Sequence, residues 1–111
     1  MSRRVVITGV GAVTALGLNA PTTWARLLAA ESGVGRITHF DAADYSCQIA
    51  AEVRGFDPAT VVEEHEARKL DPFTLFGMAA AQEALTDAGL AGTGFDPDRA
   101  GCIMGVGIGG L

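Results

Sequence analysis

Two cysteines, two histidines and one knot of charged residues are the most reactive groups in this 111-residue sequence. Cys47 and Cys102 stand 55 positions apart, with no Cys-x-x-Cys pair and no histidine at ligand spacing. That usage fits a reducing compartment, with the cytoplasm as the expected location, rather than a disulfide framework or a zinc site. A nucleophilic cysteine needs an activating base or a helix N-terminus. Cys102 lies in an apolar run and Cys47 in an alternating one without a local cation, so packing is the expected role of both. His39 and His65 have no carboxylate or cysteine at the spacing of a dyad or a metal site. Glu63, Glu64 and Glu66 beside Arg68 and Lys69 read most simply as a solvated face, with the two cations keeping an alternative role in docking.

The glycines invite phosphate chemistry, and their spacing denies it. Thr8-Gly9-Val10-Gly11 follows an apolar run, but a GxGxxG dinucleotide loop needs glycine at 14, which is Thr14. The short-chain dehydrogenase spacing needs glycine at 13 and 15, which are Val13 and Ala15. Gly105 to Gly110 lacks the Lys-Ser/Thr pair that reaches a β/γ-phosphate and holds magnesium. No cofactor and no metal is expected.

Something must position these residues, and the patterning predicts an α/β arrangement. Arg4 to Thr8 is a β-branched apolar run without alternation, the mark of a strand buried on both faces. Pro21 suits the first turn of a helix with Trp24, Leu27 and Leu28 on one stripe, ended by Ser32 and Gly33. Cys47, Ile49, Ala51 and Val53 alternate with Gln48, Ala50 and Glu52, predicting a half-exposed strand. Asp57-Pro58 and Asp71-Pro72 each read as an N-cap followed by the first helical residue. The second opens a long helix closed by Gly89, apolar or small around its circumference from Phe73 to Ala81, as in a helix covered on several sides. Gly101 to Val106 reads as a second doubly buried strand running into Gly107-Ile108-Gly109-Gly110-Leu111.

Composition bounds the function. The sequence is 49% hydrophobic and 19% charged, with a mean hydropathy of +0.29, too apolar for a disordered tail. Eight Lys and Arg against thirteen Asp and Glu give a net charge of -5, which disfavours nucleic acid as a partner. The N-terminus is too short in apolar residues for a signal h-region, and no stretch has spanning length, so no membrane association is expected. Two doubly buried strands and an all-round apolar helix need covering layers that two substantial helices cannot supply. A chain ending within a glycine-rich loop just past a core strand is therefore expected to be the N-terminal portion of something longer, residues 1–111 forming a partial domain.

The words themselves carry a resemblance. Arg4-Val5-Val6-Ile7-Thr8-Gly9-Val10-Gly11 with Gly17 and Trp24, then Ser32-Gly33 and His39-Phe40-Asp41, then Arg68-Lys69-Leu70-Asp71-Pro72-Phe73, Glu83-Ala84-Leu85, Asp87-Ala88-Gly89-Leu90 and Gly105 to Leu111 together resemble the start of a type II β-ketoacyl-acyl-carrier-protein synthase. The resemblance runs from Arg3 to Leu111, about the first quarter of that family's length. It implies a thiolase-like fold of alternating helix and sheet layers, α/β in class and incomplete in this chain, in a protein that is usually a homodimer. It implies an acyltransferase of fatty-acid biosynthesis that lengthens acyl thioesters by decarboxylative Claisen condensation with malonyl-acyl carrier protein. An aromatic polyketide ketosynthase subunit, or a non-catalytic partner akin to a chain-length factor, has a similar opening.

The resemblance places the nucleophilic cysteine and both histidines beyond residue 111, and Cys47, Cys102, His39 and His65 do not match those positions. No catalytic residue is assigned, and the 111 residues alone are expected to be inactive. Two features carry over. Ile108, with Gly107 before it, matches the isoleucine at the acyl pocket of type II synthases, where it gates the growing chain; an ordinary core isoleucine is the other reading. Arg68 and Lys69 match a basic patch that docks the acidic acyl carrier protein. Here Glu63, Glu64 and Glu66 make that segment more acidic than the family's pattern, and His65 stands where a cation is common.

Overall fold

Short helices with well-made ends dominate the chain, and its apolar runs lie against them unpaired. The computed structural model describes residues 2–92 and 94–110. Leu111, the last residue of the glycine-rich run, lies outside the described residues. The elements in order are helix α1 (Ala20–Leu28), strands β1 (Gly35–Arg36) and β2 (Ile49–Ala50), a 3-10 turn at Pro58–Thr60, helices α2 (Glu64–Ala67) and α3 (Pro72–Asp87), and a 3-10 turn at Pro97–Arg99. They fall into two compact units, one comprising Ala12–Phe56 and the other the described residues of Met1–Gly11 and Asp57–Leu111.

In the unit Ala12–Phe56, α1 starts where the sequence asks it to. The Asn19 side chain accepts the Thr22 N–H at 2.8 Å, and Pro21 needs no hydrogen bond in the first turn. Thr14 organises the preceding loop: its hydroxyl accepts from Leu16 N at 3.1 Å and Gly17 N at 3.2 Å and meets the buried Thr23 hydroxyl at 3.1 Å. The helix ends at Leu28, earlier than Ser32 and Gly33 predict. Ala30 at φ 55° completes a Schellman motif, its N–H reaching Leu27 O at 3.0 Å and that of Glu31 reaching Arg26 O at 3.0 Å. A left-handed alanine gives no glycine signal, so the sequence does not announce this stop.

β1 and β2 pair antiparallel, Gly35 opposite Ala50 and Arg36 opposite Ile49, and Ile37 N donates to Gln48 O at 3.0 Å beyond them. The alternating strand expected over 47–53 is thus two residues long, and its faces are reversed. Ile49 is exposed while Glu52 is buried, because the Glu52 carboxylate has donors to meet on the inner side.

In the other unit, α3 runs from Pro72 to Asp87 as the sequence predicts. Gly89 at φ +71° closes it, with Gly89 N bonded to Thr86 O at 3.0 Å and Leu90 N to Leu85 O at 2.8 Å. Asp71 holds the N-cap position without a side-chain bond, whereas Asp57 and Asp96 each cap their 3-10 turns through Ala59 N at 2.9 Å and Asp98 N at 3.1 Å. The N-terminal run crosses α3 in backbone contact. A Cβ on Gly9 would overlap the carbonyl oxygen of Ala84, and one on Gly11 that of Ala80. Val10 N donates to Asp87 Oδ2 at 3.0 Å and secures the crossing.

The two expected core strands are corrected here. Neither Arg4–Thr8 nor Gly101–Val106 joins a ladder, and their side chains are open, Val5 at 92% and Ile103 at 97% exposure. A strand exists through its neighbour, and among the described residues β1 and β2 form the ladder, to which neither run is joined. The helix expected to be covered on several sides is likewise open: Leu75 is buried while Phe73, Met78 and Leu85 are exposed. Ala42 and Leu75 are the buried apolar side chains among the described residues. A folded 11.4 kDa monomer shows roughly 5,800 Å² of surface, whereas this chain shows 8926 Å². The covering layers that the sequence calls for are not within its own described residues.

Candidate functional site

One face of α3 and the glycine-rich run form an apolar groove. Phe73, Met78 and Ala81 line one side and Met104, Val106 and Gly107 the other, around about 620 Å³. Residues 104–107 line this groove, and residues 100–103 line a second of about 780 Å³ walled by Leu85, Ala88, Leu90 and Phe95, with Cys102 bordering both. Glycines 105, 107 and 109 leave the first groove without side chains along part of its wall. Gly109 is held at φ +80°, its Cα directed toward the Phe73 ring, so that a Cβ there would stand 3.2 Å from Phe73 Cζ.

Gly107 therefore lies in the groove wall. Ile108 follows it but does not line the groove, and its side chain is 77% exposed. Phe73, Met78 and Met104 were not singled out from sequence. The signal that could have found them was the apolar circumference of α3 combined with the continuous apolar run of 102–106.

Arg68 and Lys69 lie on the surface after α2, and both have partners. Arg68 pairs with the Glu64 carboxylate one turn back, and Lys69 Nζ donates to Glu66 Oε1 at 2.7 Å. His65 Nε2 stands 3.0 Å from the same Glu66 oxygen. The segment is thus a locally neutralised, solvated face, as its charge pattern predicts.

Both cysteines depart from the packing role. Cys47 is exposed, its thiol donating weakly to Ile49 O at 3.5 Å, and Cys102 is exposed at the boundary of the two grooves. No layer covers either run, so neither thiol is enclosed. Folding also brings His39 to a carboxylate thirteen residues away, Nε2 standing 3.9 Å from Glu52 Oε1, a pairing that sequence spacing conceals. Among the described residues no group of three or more His, Cys, Asp or Glu could hold a metal ion, and no helix is long and apolar enough to cross a membrane. Among the described residues the groove is lined by apolar side chains and bare backbone, with the Thr74 hydroxyl and the exposed Cys102 thiol as its polar side-chain groups. It can hold an apolar chain.

The family described as Beta-ketoacyl synthase, N-terminal domain, matches residues 2–111. A 3-oxoacyl-(acyl-carrier-protein) synthase 2 of Coxiella burnetii is 49% identical over 109 residues, covering 98% of this chain and 26% of that protein. Its counterparts in Vibrio cholerae and Synechocystis are 41% and 39% identical, again over 98% of this chain and 26% of theirs. Among solved structures, the ishigamide ketosynthase/chain length factor superposes with a TM-score of 0.72 at 34% identity, over 80% of this chain and 22% of that one. The chain thus spans about a quarter of the length of the curated relatives it matches. The fold class expected from sequence, α/β and thiolase-like, is borne out by this likeness.

Proposed function

Because the chain belongs to the beta-ketoacyl synthase family through that family's N-terminal domain, we propose that it is the opening part of a condensing enzyme of fatty-acid biosynthesis. The observation that carries this reading is the identity of 39% to 49%, across 98% of the chain, to relatives named 3-oxoacyl-(acyl-carrier-protein) synthase 2. In the proposed reaction a cysteine thiolate takes the acyl group and releases the carrier thiol. Malonyl-carrier protein then loses carbon dioxide, its carbanion attacks the acyl carbonyl, and the cysteine thiolate leaves as the new carbon–carbon bond forms. The groove between α3 and the 105–110 run supplies acyl-chain wall in this reaction, and the nucleophile and oxyanion donors come from outside residues 1–111. Acting alone, the 111 residues are inactive. The working protein is a homodimer.

Ile108, which stands beside the groove wall rather than in it, is tested for its place in the family pattern. In the complete enzyme, Ile108→Phe shortens the acyl chains accepted, with kcat/KM for the longest substrates falling about tenfold or more while short ones are spared. An unchanged chain-length profile removes Ile108 and Gly107 from the acyl pocket. Acyl carrier protein docks at Arg68 and Lys69 in this reading, which requires Glu64 and Glu66 to give up their cations to the carrier's carboxylates. Arg68→Glu with Lys69→Glu raises the apparent carrier KM in a salt-dependent way, and an unchanged KM leaves the segment a solvated face.

A second reading rests on the structural match to a ketosynthase/chain length factor. On that reading the chain belongs to a polyketide ketosynthase or to its non-catalytic partner. Product analysis separates them: reduced fatty chains favour the first reading, poly-β-keto chains the second, and catalysis that needs another subunit's cysteine the non-catalytic partner.

A further inference from the structure

Glu52 is a buried acid that the proposed chemistry does not use. Its side chain is 6% exposed, and its hydrogen bonds come from Thr38 and His39. Oε1 accepts from Thr38 N at 2.9 Å and from His39 N at 3.3 Å, and Oε2 accepts from the Thr38 hydroxyl at 2.8 Å. Two charged groups flank it: His39 Nε2 at 3.9 Å from Oε1, and Arg54 Nη2 at 3.8 Å from Oε2. Among the described residues no other charged group lies within ion-pair distance of it. The Thr38–His39 segment that it grips follows β1 after Ile37, and Glu52 follows β2 after Ala51; because the strands are antiparallel the two segments leave the ladder at opposite ends, and the carboxylate ties one back to the other. A ladder this short does not hold a connection of a dozen residues by itself.

We propose that Glu52 is an acid-released clamp that ties the Thr38–His39 segment after β1 to the segment that follows β2. An ionised carboxylate accepts at both oxygens, which is what three converging donors require. Protonation at Oε2 makes the Thr38 hydroxyl turn from donor to acceptor and takes the charge from the two N–H bonds at Oε1, which weakens the set. The Thr38 N–H, above all, holds the Glu52 carboxyl below its usual value, against the burial that raises it, with the Thr38 hydroxyl, His39 N–H and His39 ring adding to the lowering. A carboxylate lowered on folding stabilises above its unfolded pKa and loses that contribution as pH falls through the folded one. Release therefore comes at a lower pH than that at which an ordinary glutamate protonates.

The test is amide hydrogen exchange of the protein between pH 3 and 7, corrected for intrinsic rates and read at Thr38 and His39 against α3. In the native sequence, protection at Thr38 and His39 falls on acidification before protection in α3 does. In Glu52→Gln it is lowered at pH 7 by about tenfold and no longer varies with pH. Thr38→Val, which removes one donor and keeps both amides, moves release to higher pH and keeps the proposal testable should Glu52→Gln fail to fold. Equal protection in native and Glu52→Gln protein, loss at Thr38 and His39 only together with α3, or an unmoved release pH in Thr38→Val would overturn the clamp. So would abolition of the acid release by His39→Gln, which would assign the switch to the imidazole.

Discussion

Thr14, Gly9 and Gly11 show how one residue type can point to the wrong chemistry for a sound reason. A glycine pair after an apolar run looks like a phosphate cradle, yet Thr14 breaks the spacing, and its hydroxyl is engaged in ordering the loop before α1. Gly9 and Gly11 serve packing: the backbone passes so close to α3 that a β-carbon has no room. Gly11→Ala should destabilise the protein by about 1–3 kcal/mol, as overpacking does. Gly101→Ala, with nothing within 4 Å, should stay within about 0.5 kcal/mol. Denaturant midpoints of the two variants check this, and equal midpoints would remove the close-approach role. The sequence denied these glycines a phosphate role but did not show what approaches them, because the α3 carbonyls lie about seventy positions away.

The helix ends show which signals a sequence displays and which it hides. α3 was legible at both ends, Pro72 at the start and Gly89 beyond the stop, because proline and glycine there meet backbone requirements no other residue meets as well. The C-terminus of α1 uses the same pair of closing bonds with alanine in the left-handed position, and so was read several residues long. That alanine carries strain that glycine would not. Ala30→Gly should raise stability by about 0.5–1 kcal/mol, the relief of strain exceeding the added freedom of the unfolded chain. A thermal midpoint that falls would contradict the strained assignment. The strands were the hardest to read. Arg4–Thr8 and Gly101–Val106 have the composition of core strands, but ladder formation depends on a neighbour, and composition says nothing of where the neighbour is. The same gap hid the groove, since Met104 and Phe73 are ordinary core residues until α3 and the run are placed side by side.

Across the whole chain the surface is the informative quantity. The excess of roughly 3,000 Å² over a folded monomer of this mass is several times the ~800 Å² that each partner buries in a standard interface. It includes Trp24, Leu27 and Leu28 on α1 as well as both strand-like runs. A sequence apolar enough to fold, with a large apolar area left open, fits one part of a layered assembly. The curated relatives that the chain matches are about four times as long. The central claim is that these residues open a condensing enzyme, and product formation tests it most directly. The complete protein that carries residues 1–111 is incubated with an acyl-carrier-protein thioester and malonyl-carrier protein, and the thioesters are read by mass spectrometry. The account predicts a 3-oxoacyl product two carbons longer with one carbon dioxide released per condensation, and none from the 111 residues alone. Intact substrates after incubation with the complete protein, or product from the 111 residues alone, would contradict it.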